Sequence, residues 1–240
     1  MDLSVVIPVY NEVESIRDLV DETSRTLQGM IEYEIIVVDD GSDDDTPVVL
    51  QACRAVQPRL RVIRHAQRSG QSAAIGNGVR AARSLWIVTL DGDGQNDPAD
   101  IMRLYTTMES SADKVMLVSG QRLNRRDDIL KRFSSRVANV VRAWVLQDRT
   151  PDTGCGIKLF ARETFNRLPQ FDHMHRFLPA LVQGLGGETV SIVVNHRARR
   201  GGVSKYGVMD RLWTGIIDML GVWWLLRRSL SSTIAETEQS

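Results

Sequence analysis

Asp91 and Asp93, in Leu90-Asp91-Gly92-Asp93-Gly94-Gln95-Asn96-Asp97-Pro98, are the carboxylates of this chain best spaced to act together. In extended backbone, residues two apart point the same way. Two negative charges then face one space and repel each other unless a cation joins them. A hard divalent ion such as Mg²⁺ suits oxygen donors and keeps coordination positions open for phosphate oxygens. Alone, Asp-x-Asp is common and fits a solvated acidic turn better, so the elements around it have to settle the matter.

The pair follows a short, branched, glycine-free apolar run at 85–90, which predicts a buried strand. Beyond it, Asp97 suits a helix cap and Pro98 a first helical position. Upstream the same alternation repeats. Residues 3–9 read as a first strand ending near Pro8, and Asn11 with Glu14 is a capping-box pattern opening a helix to about Leu27. Residues 34–38 read as a second strand running into the acidic cluster 39–45, and Thr46-Pro47 starts another helix. Residues 60–63 form a third strand, and Gly70-Gln71-Ser72-Ala73-Ala74 begins a small-residue helix reaching roughly Arg83. Strand alternating with helix predicts a doubly wound α/β domain on a parallel sheet. Such sheets bind ligands beyond the carboxyl ends of their strands. Tyr10-Asn11-Glu12, the cluster 39–45 and the segment 91–97 all fall at those ends. One acidic loop is usually only a solvated loop; three on one rim point to a site.

The second half differs in character. After a fifth strand at 114–118 comes a basic region with Arg122, Arg125, Arg126, Lys131, Arg132, Arg136 and Arg142. Interleaved apolar residues at spacings of three and four predict an amphipathic helix over about 129–146. Each arginine singly fits a solvated face; as a group they suit a phosphate or an anionic headgroup. Asp152-Thr153-Gly154-Cys155-Gly156-Ile157-Lys158 reads as a Gly-rich turn entering a strand, with Cys155 as a packing residue, and another strand is expected over 189–195. Arg199-Arg200-Gly201-Gly202-Val203-Ser204-Lys205 is a basic loop that resembles one closing on phosphate, although basic glycine loops are usually mobile surface. Residues 212–226 are apolar but too short to span a bilayer, and Trp213, Trp223 and Trp224 with Arg227-Arg228 suit either a membrane interface or a core helix. His173 and His175 lie on one side of a segment read as extended; lacking a third ligand at a recognisable spacing, they and His65 and His196 are read as surface or core histidines.

Composition sets the outer bounds. At 240 residues, 42% hydrophobic and 25% charged, the chain is long enough for one large domain. Zero formal net charge supplies no basic field for nucleic acid, and the two cysteines exclude a disulfide framework. A strand pattern entered at Leu3 leads to the expectation of no signal peptide.

Several of these motifs occur in a recognisable order: Pro8-Val9-Tyr10-Asn11-Glu12, Asp39-Asp40-Gly41-Ser42-Asp43-Asp44-Asp45-Thr46, Gly70-Gln71-Ser72-Ala73-Ala74 and Asp91-Gly92-Asp93-Gly94-Gln95. They are followed by Arg132-Phe133-Ser134-Ser135-Arg136, by Asp152 with Gly156-Ile157-Lys158, and by Arg199-x-x-Gly202-x-Ser204-Lys205. Together, over roughly residues 3–228, they resemble the family 2 glycosyltransferases, and within them the dolichol-phosphate mannosyltransferase branch of polyprenyl-phosphate glycosyltransferases.

The resemblance implies a GT-A-type doubly wound, mostly parallel sheet flanked by helices. A catalytic domain would cover 1–207, an amphipathic interface segment 208–228 and a flexible tail 229–240. It implies that Pro8, Tyr10, Glu12, Asp39 and Gly70 line the nucleotide-sugar pocket with Asp91 and Asp93, and that Asp91, Asp93 and Gln95 hold Mg²⁺ or Mn²⁺. Arg122, Lys131, Arg132, Ser135, Arg136 and Ser204 would bind the acceptor phosphate, and Asp93, Asp152, Arg199 and Lys205 would serve catalysis, with Asp152 read as a spare carboxylate. The expected reaction is inverting transfer of a hexose from GDP-mannose or a UDP-sugar to undecaprenyl or dolichyl phosphate. It would take place at the cytoplasmic face of a membrane, with the protein bound peripherally and a membrane-protein partner allowed. Residues 154–158 depart from the usual pattern, which bears on the sugar rather than on the reaction. Two alternatives stay open: a same-fold enzyme with a polysaccharide or soluble acceptor, and a non-catalytic nucleotide-sugar-binding adaptor at a membrane.

Overall fold

Strands β1 (Leu3–Val9) and β2 (Tyr33–Asp39) are buried at every position, because the sheet they centre is covered on both faces. In this computed structural model the described residues are 1–123, 142–143, 145–148, 150–198 and 208–228, with the backbone alone for 208–214. Alternate side chains feed opposite layers, as the period of a strand requires. Val5, Ile7, Ile35, Val37 and Val88 enter a core beneath α1 (Ile16–Leu27), α2 (Thr46–Val56) and α4 (Ile101–Glu109). Val6, Ile36, Val38 and Ile87 enter the other core, beneath α3 (Gln71–Ala81), α5 (Arg162–Arg167), α6 (Leu178–Gly184) and α7 (Val208–Leu226).

The sheet has seven strands in the order β3-β2-β1-β4-β6-β5-β7. The remaining ones are β3 (Leu60–Arg64), β4 (Trp86–Thr89), β5 (Val115–Arg122), β6 (Lys158–Ala161) and β7 (Glu188–Val194). β1 pairs in parallel with both β2 and β4, and β5 in parallel with β7. β6 runs antiparallel between β4 and β5, so the sheet is mixed rather than wholly parallel. The chain goes outward from β1 through β2 to β3, then returns to place β4 on the other side of β1. That reversal opens a crevice at the carboxyl ends of β1 and β4.

Local expectations fare unevenly. Asp97 does cap, its Oδ1 accepting from Ala99 N at 3.0 Å ahead of the short turn Pro98–Asp100. Asn11 does not cap α1, which starts at Ile16. Asn11 is left-handed (φ 55°), its amide donating to Asp43 Oδ1 at 2.5 Å and accepting from Asp43 N at 3.0 Å. It stitches the β1 loop to the β2 loop instead. The segment with His173 and His175 is not extended: it turns through Met174–Arg176, with His173 left-handed at φ 63°. Most of the helix expected over 129–146 lies outside the described residues. No described helix is long and apolar enough to cross a membrane.

Candidate active site

The loop after β4 carries Asp91, Asp93, Asp97 and Asp100, and the fold sorts them. Asp97 accepts from Asn195 Nδ2 at 2.8 Å and pairs with Arg197 at 2.7 Å; Asp100 pairs with Arg103 at 2.6 Å and accepts from Asn195 N at 2.7 Å. These two carboxylates fasten the loop to α4 and to the end of β7. Asp91 instead accepts an uncharged amide proton, Gln71 Nε2 to Oδ1 at 2.9 Å. Asp93 Oδ1 accepts from Gln95 N at 3.1 Å. Burial and the neighbouring Asp93 charge push the Asp91 carboxyl up to about 6, against the pull of Lys158 and Arg122.

Gly156 is the wall behind Asp91. A Cβ built there would lie 2.1 Å from Asp91 Oδ2 and 2.2 Å from Cγ, so only glycine fits. Thr89 Oγ1 donates to Gly156 O at 2.7 Å and fixes that wall to β4. The adjacent Lys158 is buried and donates through Nζ to the Cys155 carbonyl oxygen. Burial pushes its ammonium below the ordinary range, opposed by Cys155, Asp91 and Asp152. Burial likewise raises the Cys155 thiol, which fits a packing residue rather than a nucleophile.

Asp152 is not spare. Its two oxygens accept from Arg122 Nε at 2.7 Å and Nη2 at 2.9 Å, a bidentate pair largely shielded from water. Burial alone would lower the Arg122 pKa, but the Asp152 bond and charge override it and the net shift is upward. Arg122 is therefore a fixed cation at the end of β5, near enough to Asp91 for each charge to act on the other.

On the other side of the crevice, Asp39 is fully buried. Oδ1 accepts from Ser42 N at 2.9 Å; Oδ2 lies 3.3 Å from Arg64 Nε but accepts no hydrogen bond from the described residues. Asp40 clamps the approach to α3, accepting from Ser69 N, Gly70 N and His65 Nδ1, each at 2.8 Å. Gly70 takes φ 94°, a conformation that favours glycine. The Arg68 guanidinium covers the Tyr10 ring at 4.4 Å. Glu12 N donates to Thr46 Oγ1 at 2.9 Å, and Pro8 O lies 2.9 Å from where a Cβ on Gly92 would stand. Ser15 Oγ donates to Gly92 O at 2.8 Å, tying the β1 loop to the Asp91–Asp93 turn.

The structure thus brings Pro8, Tyr10, Glu12, Asp39, Gly70, Asp91, Asp93, Gln95, Arg122 and Asp152 to one rim. Lys131, Arg132, Ser135, Arg136, Arg199, Ser204 and Lys205 lie outside the described residues. Gln95 is engaged by the strap after β7: its Nε2 is 3.4 Å from both His196 Nε2 and Arg197 O, and its carbonyl accepts from Arg197 N at 3.0 Å. Sequence reasoning missed Gln71, Lys158, Asn195 and Arg197. Gln71 and Lys158 carried a signal, Gln71 as a member of the Gly70–Ala74 motif and Lys158 as a charge inside an otherwise apolar strand.

The residues fit a divalent cation. The Asp93 charge helps raise the Asp91 carboxyl, a repulsion that a shared positive charge relieves, and carboxylate oxygens suit Mg²⁺ or Mn²⁺. No described group of three or more His, Cys, Asp or Glu side chains is placed to hold a metal. A two-carboxylate site leaves the remaining positions to substrate oxygens.

A family model described as "Glycosyl transferase family 2" matches residues 4–168. The chain is 35% identical over 95% of its length to a dodecaprenyl-phosphate galacturonate synthase of Rhizobium johnstonii, covering 68% of that protein. It is 33% identical over 86% of its length to an undecaprenyl-phosphate 4-deoxy-4-formamido-L-arabinose transferase of Photorhabdus laumondii, covering 63%. The chain therefore spans about two thirds of these curated relatives. Among solved structures, glucosyl-3-phosphoglycerate synthase of Mycobacterium tuberculosis with Mg²⁺ and UDP superposes with a TM-score of 0.71 at 20% identity, covering 97% of this chain and 81% of that one. This likeness shows the fold, which is GT-A.

Proposed function

The chain belongs to glycosyl transferase family 2, and on that premise we propose that it transfers a sugar from a nucleoside-diphosphate donor to a polyprenyl phosphate, with inversion and with Mg²⁺ or Mn²⁺. The observation that carries the reading is the sorting of the β4 loop. Asp97 and Asp100 are neutralised by arginines, while Asp91 is held by a neutral amide against Gly156 with its proton affinity raised. That arrangement wastes stability unless a cation and its diphosphate arrive.

The donor fits a uridine nucleotide. Asp39 has one buried oxygen that accepts no hydrogen bond from the described residues, with Arg64 Nε 3.3 Å away, and its other oxygen is committed to Ser42 N. One acceptor matches the single imide N–H of uracil; guanine offers two adjacent donors to the same edge. Tyr10 under Arg68 gives the base an aromatic neighbour.

A divalent cation bound by Asp91 and Asp93 would offset the charge developing on the leaving diphosphate. Gln71 and Gly156 hold the Asp91 carboxylate in one orientation, so no reorganisation is needed as that charge appears. The acceptor needs no general base, since a phosphate monoester with a second pKa near ~6 is mostly dianionic at neutral pH. It needs cations, because it must approach a donor that is itself anionic. Arg122, fixed by Asp152, supplies one, and the basic residues of 131–136 and 199–205 are proposed to supply the others. Attack by the acceptor oxygen on the face opposite the diphosphate gives inversion.

The lipid tail places the site at a membrane surface. Helix α7 shows Ile217, Leu220 and Trp224 to solvent at helical spacing, and Arg227 and Arg228 stack on Trp223 and Trp224 at 4.3 and 5.6 Å. Aromatics beside arginines suit the lipid–water boundary, and we propose that this face lies on the cytoplasmic leaflet.

The test is a panel of UDP- and GDP-sugars with undecaprenyl phosphate, read by mass spectrometry of the organic phase. A glycosylated lipid phosphate formed from a UDP-sugar, lost on chelation and in Asp93→Asn, is the expected result. Label that stays in the aqueous phase, or turnover indifferent to both chelator and substitution, overturns it.

A further inference from the structure

Two histidines not used by the proposed reaction stand in the turn between α5 and α6. His173 is held left-handed at φ 63°, a conformation a non-glycine residue keeps only where its surroundings fix it. Its backbone N–H donates to Asp172 Oδ1 at 2.8 Å, and its ring reaches α7, Nδ1 donating to Asp218 Oδ2 at 2.9 Å. Asp218 is a carboxylate within a largely apolar helix, and its side chain is only 18% exposed. Two residues on, the His175 ring reaches the first turn of α3, its Nδ1 2.8 Å from Ser72 Oγ. The His175 backbone N–H donates to the same hydroxyl at 3.4 Å. Burial holds the His175 imidazole well below its usual range, so it serves as a neutral hydrogen-bonding group. Asp172, beside His173, lies with Oδ1 3.2 Å from where a Cβ on Gly70 would stand. The turn therefore abuts Gly70 and grips Ser72, and between them Gln71 holds Asp91 Oδ1 at 2.9 Å.

We propose that the turn 171–177 is a buttress of the candidate metal-binding carboxylate. His173 ties it to α7 through Asp218, His175 ties it to α3 through Ser72, and together they fix the Gln71 amide on Asp91. This rests on the reading of Asp91 as a metal ligand. A single amide bond to one carboxylate oxygen sets the rotation of the carboxylate without neutralising it, and that rotation is only as defined as the backbone carrying the amide. His173, His175 and Asp218 are positioning residues; they touch neither the donor nor the acceptor.

Mn²⁺ binding to the full chain, followed by titration calorimetry without substrates, tests the proposal apart from turnover. Asp218→Ala and Ser72→Ala should each weaken Mn²⁺ by about 3- to 10-fold with the circular dichroism unchanged. Asp218→Asn, which keeps an oxygen acceptor for His173, should restore most of the affinity. In a Gln71→Ala background, Asp218→Ala should add nothing. Folded Asp218→Ala and Ser72→Ala proteins that bind Mn²⁺ as the parent does, while Asp91→Asn does not, overturn the buttress and leave the metal site standing. An Asp91→Asn protein that binds Mn²⁺ normally overturns the metal reading and the buttress with it.

Discussion

The chemistry at residue scale turns on how four carboxylates of one loop are treated differently. Asp97 and Asp100 are matched to Arg197 and Arg103, whereas Asp91 is pressed against Gly156 and given a neutral donor. Asp91→Asn keeps the shape and the Gln71 contact but removes the charge. It should lower kcat/KM by ~10²–10³-fold, the scale of losing one group that stabilises transition-state charge, with the melting temperature unchanged or raised. The Asp91 carboxyl is pushed up to about 6, so protons compete with a metal for it. With the folded-state pKa above the ordinary carboxylate value, Asp91 is protonated earlier than usual as pH falls. Mn²⁺ affinity measured at pH 7 and pH 5 should drop by about tenfold, most of it below pH 6. Spacing alone showed that Asp91 and Asp93 share a direction. It could not show that Asp152 is bound by Arg122, because that pair closes across 30 residues.

At the scale of elements, α3 and the strap after β7 set the precision of the site. α3 lies close on β1 because Gly78 lets it: a Cβ there would stand 2.4 Å from Val6 Cγ1. Gly78→Ala should cost about 1–3 kcal/mol in urea denaturation, the usual penalty of overpacking a core. The strap works through charge. Arg197 bonds both oxygens of Glu22 at 2.7 Å and one of Asp97 at 2.7 Å, and these partners raise its pKa despite partial burial. Arg197→Lys keeps the charge but cannot span α1 and the loop with a planar fork. It should lose about 1–3 kcal/mol of stability, measured by chemical denaturation, and loosen Gln95, whose carbonyl accepts from Arg197 N. The helix–strand alternation that delivers these elements was readable from apolar periodicity. The start of α1 was not, because Asn11 bonds to Asp43, a partner 32 residues away, rather than to its own helix.

For the molecule as a whole, the sheet reversal between β1 and β4 places the candidate site at one end of the sheet, and α7 joins the helical layer on one face of it. One face of α7 packs through Met219, Val222 and Trp223; Ile217, Leu220 and Trp224 face outward. Replacing those three outward residues with serine should cut co-sedimentation with anionic liposomes severalfold without changing the melting temperature, since little native burial is lost. A large loss of stability instead would mean that this face is covered by protein. The sequence held both readings of this segment because its hydrophobicity is nearly continuous, and exposure separates them only once the partner layer is in place.

The order of residues along the chain was enough for the strands, their alternation with helices and the three polar clusters at one rim, since periodicity and turn chemistry are local. It also carried the motif order by which the family is recognised. The packed fold was needed to show which charges cancel: Asp97 and Asp100 against arginines, Arg122 against Asp152, with Lys158 buried near Asp91. It also decided that His173 and His175 brace the turn next to Gln71, His175 meeting a hydroxyl 103 residues away. The reason is physical: a charge's role depends on what stands within a few ångströms of it, and in a doubly wound sheet those neighbours come from distant parts of the chain.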